Sequence, residues 1–156
     1  MTAAPIRREV NFKNFAEILA DAERLVSTPN TKVVGNWPLT QLLTHLAMTF
    51  NCSIDGFSSK APFAIRLIGP LIKGFVLKAP KMKPGIKLPK DAVIAAYPSA
   101  ESPQAAFDSL HKAIARTKTE RMQARHPAFG KMTHDQWNTL HLRHCELHLS
   151  FAIPGQ

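Results

Sequence analysis

The chain has 156 residues, of which 45% are hydrophobic. That is enough for a single domain over 1–156 with one real core and no need of disulfide or metal staples. The 20 Lys and Arg against 11 Asp and Glu give a formal charge of +9, a balance that raises nucleic acid, anionic lipid or an anionic substrate as partners without choosing among them. The opening MTAAPIRREV leads into no apolar run of signal-peptide length, and no stretch reaches the roughly eighteen uncharged apolar residues of a membrane span. A cytoplasmic protein is expected, with Cys52 and Cys145 as reduced thiols.

From Asn11 onward, Phe12, Phe15, Ile18, Leu19, Ala22, Leu25 and Val26 recur at three- and four-residue steps with charges between them. This predicts an amphipathic helix ending near Thr28-Pro29. A second helix begins at Asn36-Trp37-Pro38, where Asn36 offers a side-chain cap and Pro38 a first-turn proline. It carries Leu39, Leu42, Leu43, Leu46 and Phe50 to a stop at Gly56. Pro62, Pro70, Pro80, Pro84, Pro89 and Pro98 then interrupt every periodicity, which predicts a crossover with short helical turns. Its best segment runs from Phe63 to Lys78, kinked at Gly69-Pro70. Lys60 to Lys90 holds eight basic residues and no acidic one, so this segment carries nearly all of the net charge.

Ser102-Pro103 opens a third long helix, with Ala106, Phe107, Leu110, Ala113 and Ile114 inward and a polar end through Arg121. His126-Pro127 and Gly130 break it. Thr133 with Gln136 makes a capping box for the last helix, which runs through Trp137, Leu140 and Leu147 to Phe151. The predicted fold is all-α, a four-helix bundle with a long basic crossover between its second and third helices.

The histidines carry the chemistry. His144 and His148 lie about 40° apart and one turn apart on a helix, a spacing at which two imidazoles reach one divalent ion. His45 is the sole histidine of the second helix and supplies a third ligand from across the bundle, leaving open coordination positions for water or substrate. Taken singly, a histidine on an apolar face is more often a core residue than a ligand. His-x-x-x-His with Glu146 between lacks the zincin order, because Glu146 falls on the opposite side of the helix. His111, His126 and His134 stand beside polar stretches or breakers and read as surface or boundary residues.

Gln41, Thr49 and Cys52 share a face with His45, and Gln41 joins His141 as a candidate catalytic residue. His141 is open to three roles: fourth ligand, general base or packed residue beneath Trp137. Trp137 reads first as core. A thiolate ligand from Cys52 or Cys145 is the less common role beside a small buried hydrophobe.

The run Asn36-Trp37-Pro38-Leu39-Thr40-Gln41-Leu42-Leu43-Thr44-His45-Leu46 and the run Arg143-His144-Cys145-Glu146-Leu147-His148 resemble the DinB-like superfamily. Its members are bacterial metal-binding four-helix bundles and include thiol-dependent transferases and isomerases. The resemblance covers the helical order and long connection over essentially the whole chain. It is nearest to a branch without a settled activity, through Gly35-Asn36-Trp37, Ser53-Ile54-Asp55-Gly56, His126-Pro127-x-Phe129-Gly130 and Gln136-Trp137-Asn138-x-Leu140-His141-Leu142-Arg143-His144. It implies one divalent ion on His45, His144 and His148; three imidazoles suit zinc, nickel, copper or iron, with zinc or nickel first. Phe151 stands where the superfamily often has a Gln.

Two functions follow. In the first, an open metal site activates a thiol or water for S-transfer, isomerisation or hydrolysis, and the basic insert gathers a small anionic or thiol metabolite. In the alternative, a non-catalytic module uses 60–90 to bind nucleic acid or an anionic membrane. Nucleic acid is the weaker partner, since Lys78 to Lys90 holds no aromatic residue and no helix-turn-helix or RNA-binding signature occurs. The apolar run Phe63 to Leu77 also offers a face for a homodimer.

Overall fold

The computed structural model describes residues 6–85 and 100–155. Among them are five helices, α1 (Phe15–Ser27), α2 (Leu39–Asp55), α3 (Phe63–Lys78), α4 (Pro103–Arg116) and α5 (His134–Leu149), and two short strands, β1 (Lys32–Val33) and β2 (Ala152–Ile153). The all-helical reading holds apart from this ribbon, in which Lys32 pairs with Ile153 and Val33 with Ala152, antiparallel. Lys87 and Lys90 of the basic insert lie outside the described residues.

One core is shared by α1, α2, α4 and α5, through Ile18, Leu25, Leu43, Phe50, Leu110 and Leu149 among others. Each such side chain withdrawn from water contributes about 1.5–3 kcal/mol, which is what holds helices of 13–17 residues in place. A second, smaller cluster forms around Met122, Met132, Trp137 and Leu140, with Ile54, Phe57, Leu77 and Phe129 packed against it. It lies under the segment leading into α5.

Helix ends differ from the sequence expectation where side chains compete for backbone groups. α1 starts at Phe15 rather than near Asn11, because Asn14 accepts from Glu17 N at 3.0 Å and Glu17 accepts from Lys13 N at 2.8 Å. Phe12 is instead a strap residue, buried, whose N–H donates to Glu146 Oε1 at 2.8 Å. The side-chain cap expected from Asn36 is absent: Pro38 occupies the cap position of α2 with no side-chain cap hydrogen bond. Gly56 does end α2, at φ 102°, its N–H on Cys52 O.

α4 stops at Arg116, short of Arg121. Thr117 and Thr119 hydroxyls donate to the carbonyls of Ile114 and Arg116, and the Arg116 guanidinium holds Asp55, Glu120 and Asn51 at 2.7–2.9 Å. Those contacts turn the chain away from the helix axis. α5 has the expected capping box, Gln136 N on Thr133 Oγ1 at 3.2 Å and Thr133 N on Gln136 Oε1 at 3.0 Å. It ends at Leu149, not Phe151, because Ala152 and Ile153 pair with β1.

The N-terminal strap is stapled across two helices by Arg8. Its guanidinium meets both oxygens of Asp21 at 2.8 and 2.6 Å and donates to Leu149 O at 3.0 Å. Burial alone would raise the Asp21 carboxyl, but hydrogen bonds from Arg8 and Arg24 hold it below its ordinary value.

The crossover is more regular than its prolines suggest. α3 is one helix of 16 residues with Pro70 inside it. Its closest seat on the body is Gly69, where a Cβ would come within 2.1 Å of Ala128 O, and Lys73 Nζ donates to Lys131 O at 2.7 Å. Gly69→Ala is therefore expected to push α3 off the Ala128 backbone and to cost about 1–3 kcal/mol. Gly74→Ala, in open space on the same helix, is expected to stabilise by about 0.5–1 kcal/mol. Urea unfolding of the two variants beside the parent checks both signs.

Candidate metal centre

His45 projects from α2, and His144 and His148 from α5, and their ligand atoms all lie within 4.8 Å of one another. The Nε2 atoms of His45 and His144 are 3.2 Å apart, and those of His148 and His144 are 2.9 Å apart. A ring nitrogen has a single in-plane direction, carrying either a hydrogen or a lone pair. His144 Nε2 can therefore make a well-directed hydrogen bond to only one of the two neighbours, and a lone pair shared between them leaves both bonds bent. A cation at the centre satisfies all three, and nitrogens about 2.1 Å from one ion stand about 3.0–3.4 Å apart for bond angles between octahedral and tetrahedral. The 3.2 and 2.9 Å separations sit at that scale, so the residues fit a bound divalent ion.

Local packing holds the three rings. Leu42, Leu43 and Leu46 anchor α2 in the core beside His45, and Cys145 and Leu149 do the same for α5 beside His144 and His148. Trp37, ahead of α2, stacks on His148 with centroids 5.3 Å apart and meets His45 edge-on at 5.1 Å. Burial holds the His144 imidazole well below its ordinary pKa and brings His148 down to about 3, with His45 next to each adding to the shift. Neutral imidazoles keep the lone pairs that a metal needs.

The other sequence candidates are placed differently. Gln41 is half-buried on α2, one turn before His45. His141 lies outside the three-histidine cluster, buried between Phe50 (centroids 3.9 Å apart, stacked) and Trp137 (5.4 Å). Its Nε2 has no hydrogen-bond partner among the described residues, and burial holds its pKa at about 3. Thr49 Oγ1 turns back to Leu46 O at 2.8 Å. Burial, and then Asp55, push the Cys52 thiol up, and burial does the same to Cys145, so neither favours the thiolate.

Trp137 is a core residue as expected, its Nε1 donating to Ala124 O at 3.1 Å. His111 is exposed, while His126 and His134 are half-buried boundary residues whose Nδ1 atoms accept backbone N–H groups. Asn51 and Asp55, in the last two turns of α2, both accept from the Arg116 guanidinium. Phe151 lies against Gly35 and under the Arg7 guanidinium, 4.9 Å from its ring centre.

Two residues that matter to the centre were not singled out by spacing. Trp37 precedes its helix and so has no place in the helical periodicity; its proximity to the turn that starts α2 was the available signal. Glu146, buried, accepts from Arg143 at 2.9 Å and from Phe12 N. The i,i+3 spacing from Arg143 to Glu146 could have suggested the ion pair, but not the partner in the strap.

Fold and site together define a helical protein whose two neighbouring helices, α2 and α5, bring three imidazoles to one point. Residues 5–155 match the family model described as Protein of unknown function (DUF1569), so the chain belongs to that family. No curated protein and no solved structure matches it.

His141 and His126 are held neutral by burial, at about 3 and about 4 against an ordinary 6.5. Below 6.5 the unfolded chain takes up these protons and the folded one does not, so stability is full above 6.5 and falls as the pH drops towards 4. In metal-free protein, His141→Phe should shrink the loss of unfolding free energy between about pH 7.5 and about pH 5 by up to about 2 kcal/mol. Urea titrations at the two pH values measure it, and an unchanged loss would overturn the assignment.

Proposed function

We propose that this chain is a divalent-metal protein of the DinB-like kind, a four-helix bundle whose His45, His144 and His148 hold one ion, zinc or nickel first. The observation that carries the proposal is the convergence of three imidazoles, with His144 Nε2 facing two other ring nitrogens at 3.2 and 2.9 Å while it has one in-plane direction to offer. Three protein ligands leave coordination positions for a small molecule, the arrangement of catalytic rather than structural sites. When bound, such an ion supplies Lewis acidity and lowers the pKa of a water or thiol beside it. The reaction class is S-transfer, isomerisation or hydrolysis on a small anionic or thiol metabolite.

The chain's own residues contribute orientation and exclusion. Trp37 covers the outer faces of His45 and His148, and the raised thiols of Cys52 and Cys145 keep them from competing for the ion. Gln41, one turn from His45, is the group placed to orient a bound metabolite, while His141 acts beneath the site by positioning α5 against Phe50.

Elemental analysis of tag-free protein is expected to find close to one transition-metal ion per chain. His45→Ala and His148→Ala, each folded by circular dichroism, are expected to lose it at least tenfold. Metal absent from the parent even after reconstitution would refute the reading. Retention in His45→Ala would place the ion elsewhere than between α2 and α5.

A further inference from the structure

Seven of the eight large apolar side chains that stand exposed among the described residues lie on α3. Along α3, Phe63, Leu67, Leu71 and Phe75 are 76%, 65%, 83% and 80% exposed, and Ile65, Ile68 and Ile72 are about half exposed. At 100° per residue these side chains sweep an arc of about 200°, while Gly69 and Leu77 fall in the remainder and seat the helix on the body. A soluble protein that spent this much leucine, isoleucine and phenylalanine on water would lose solubility and gain nothing. The helix is 16 residues long, about 24 Å, and no helix among the described residues is long and apolar enough to cross a membrane.

The charge around this face has one sign. No Asp or Glu occurs from Gly56 to Lys90, whereas Lys60, Arg66, Lys73, Lys78, Lys81 and Lys83 do. Lys81 meets Glu9 and Lys73 meets a backbone carbonyl. Lys60 and Arg66 line a cleft of about 420 Å³ between α3 and the turn at 125–130, together with Arg125, Phe63, Pro70 and His126. No carboxylate among the described residues lines that cleft. An apolar arc bordered by a carboxylate-free cationic cleft is a complement to acyl chains bordered by phosphate.

We infer that α3 docks in the plane of an anionic lipid bilayer, its Phe63–Phe75 face among the acyl chains and Lys60, Arg66 and Arg125 on headgroup phosphates. This is the arrangement of an interfacial helix, and anionic headgroups draw in each nearby cation. A second copy of this chain fits less well. A two-fold contact through α3 would oppose Lys60, Arg66 and Lys78 to the same cations with no acidic residue in the segment to pair them. Nucleic acid offers phosphate but no apolar medium for an arc of seven large side chains. The inference is independent of the metal centre.

Vesicle flotation of the full chain tests it, with phosphatidylcholine alone and with about 30 mol% phosphatidylglycerol added. The protein is expected to float with the anionic vesicles and to stay in solution with the neutral ones. Leu71→Glu with Phe75→Glu, whose side chains stand in water and leave the fold intact by circular dichroism, should reduce partitioning at least tenfold. Lys60→Gln and Arg66→Gln should each reduce it about fivefold and flatten its salt dependence. Absence of flotation, equal flotation with neutral vesicles, or indifference to the Leu71/Phe75 double variant would each overturn the inference. A dimer in sedimentation velocity that the double variant disperses, without vesicle binding, would assign the face to a second copy instead.

Discussion

His144 Nε2 meets two other imidazole nitrogens with one hydrogen or one lone pair to give. Three imidazoles converge there, close enough to hold one ion, and the packing nearby keeps the rings in place. α2 and α5 must be neighbours, so the leucines of α2 and the Cys145–Leu149 side of α5 are buried in one core. The register of α5 must be fixed to within a residue, since a one-residue slip rotates His144 by about 100°. The Thr133–Gln136 box sets where that helix starts, and the β1–β2 pair with Arg8 on Leu149 O sets where it ends.

Beneath the histidine cluster the rings continue as a stacked column. Phe50 lies on His141, His141 on Trp137, and Trp137 on Phe57, with His126 against both Trp137 and Phe129. The same rings that position α5 therefore also position the 126–130 turn, and that turn carries the carbonyl on which Gly69 of α3 rests. His126 accepts the N–H groups of Ala128 and Phe129 through one nitrogen, which fixes the turn only while that nitrogen is unprotonated. Histidine thus appears in two settings in this fold: as a three-ring cluster between α2 and α5, and as a backbone cap under α3.

Much of this was legible because hydrophobic spacing and caps are local. The α1, α2, α4 and α5 cores follow from three- and four-residue apolar steps, and the Thr133 box and Gly56 stop are read from single residues. The His144/His148 pair is local too, and His45 followed because α2 holds no other histidine. What escaped depends on long-range partners. The end of α5 is decided by pairing with a strand more than 100 residues earlier, and the end of α4 by Asp55 on another helix. The proline count argued against regular structure in the crossover, yet Pro62 and Pro80 flank α3 and only Pro70 falls inside, where a single missing N–H is tolerated. The three roles left open for His141 could be sorted only by the rings around it, which come from α1, α2 and α5.

The distribution of charge follows from the same division between body and crossover. In the helical body four carboxylates are held internally: Asp21 by Arg8 and Arg24, Asp55 and Glu120 by Arg116, and Glu146 by Arg143 and a backbone N–H. Arginine serves in each of these pairs, as expected where a fixed fork must hold two oxygens or two elements at once. The crossover instead uses lysine for five of its six cations before residue 85, a flexible point charge suited to a fluid or varied surface rather than to a fixed partner. Neutralising the body internally leaves the positive potential concentrated on the side that also bears the apolar face of α3. A chain of +9 thereby acts outward from one segment, while burial keeps the imidazoles of His141, His144 and His148 on α5 neutral.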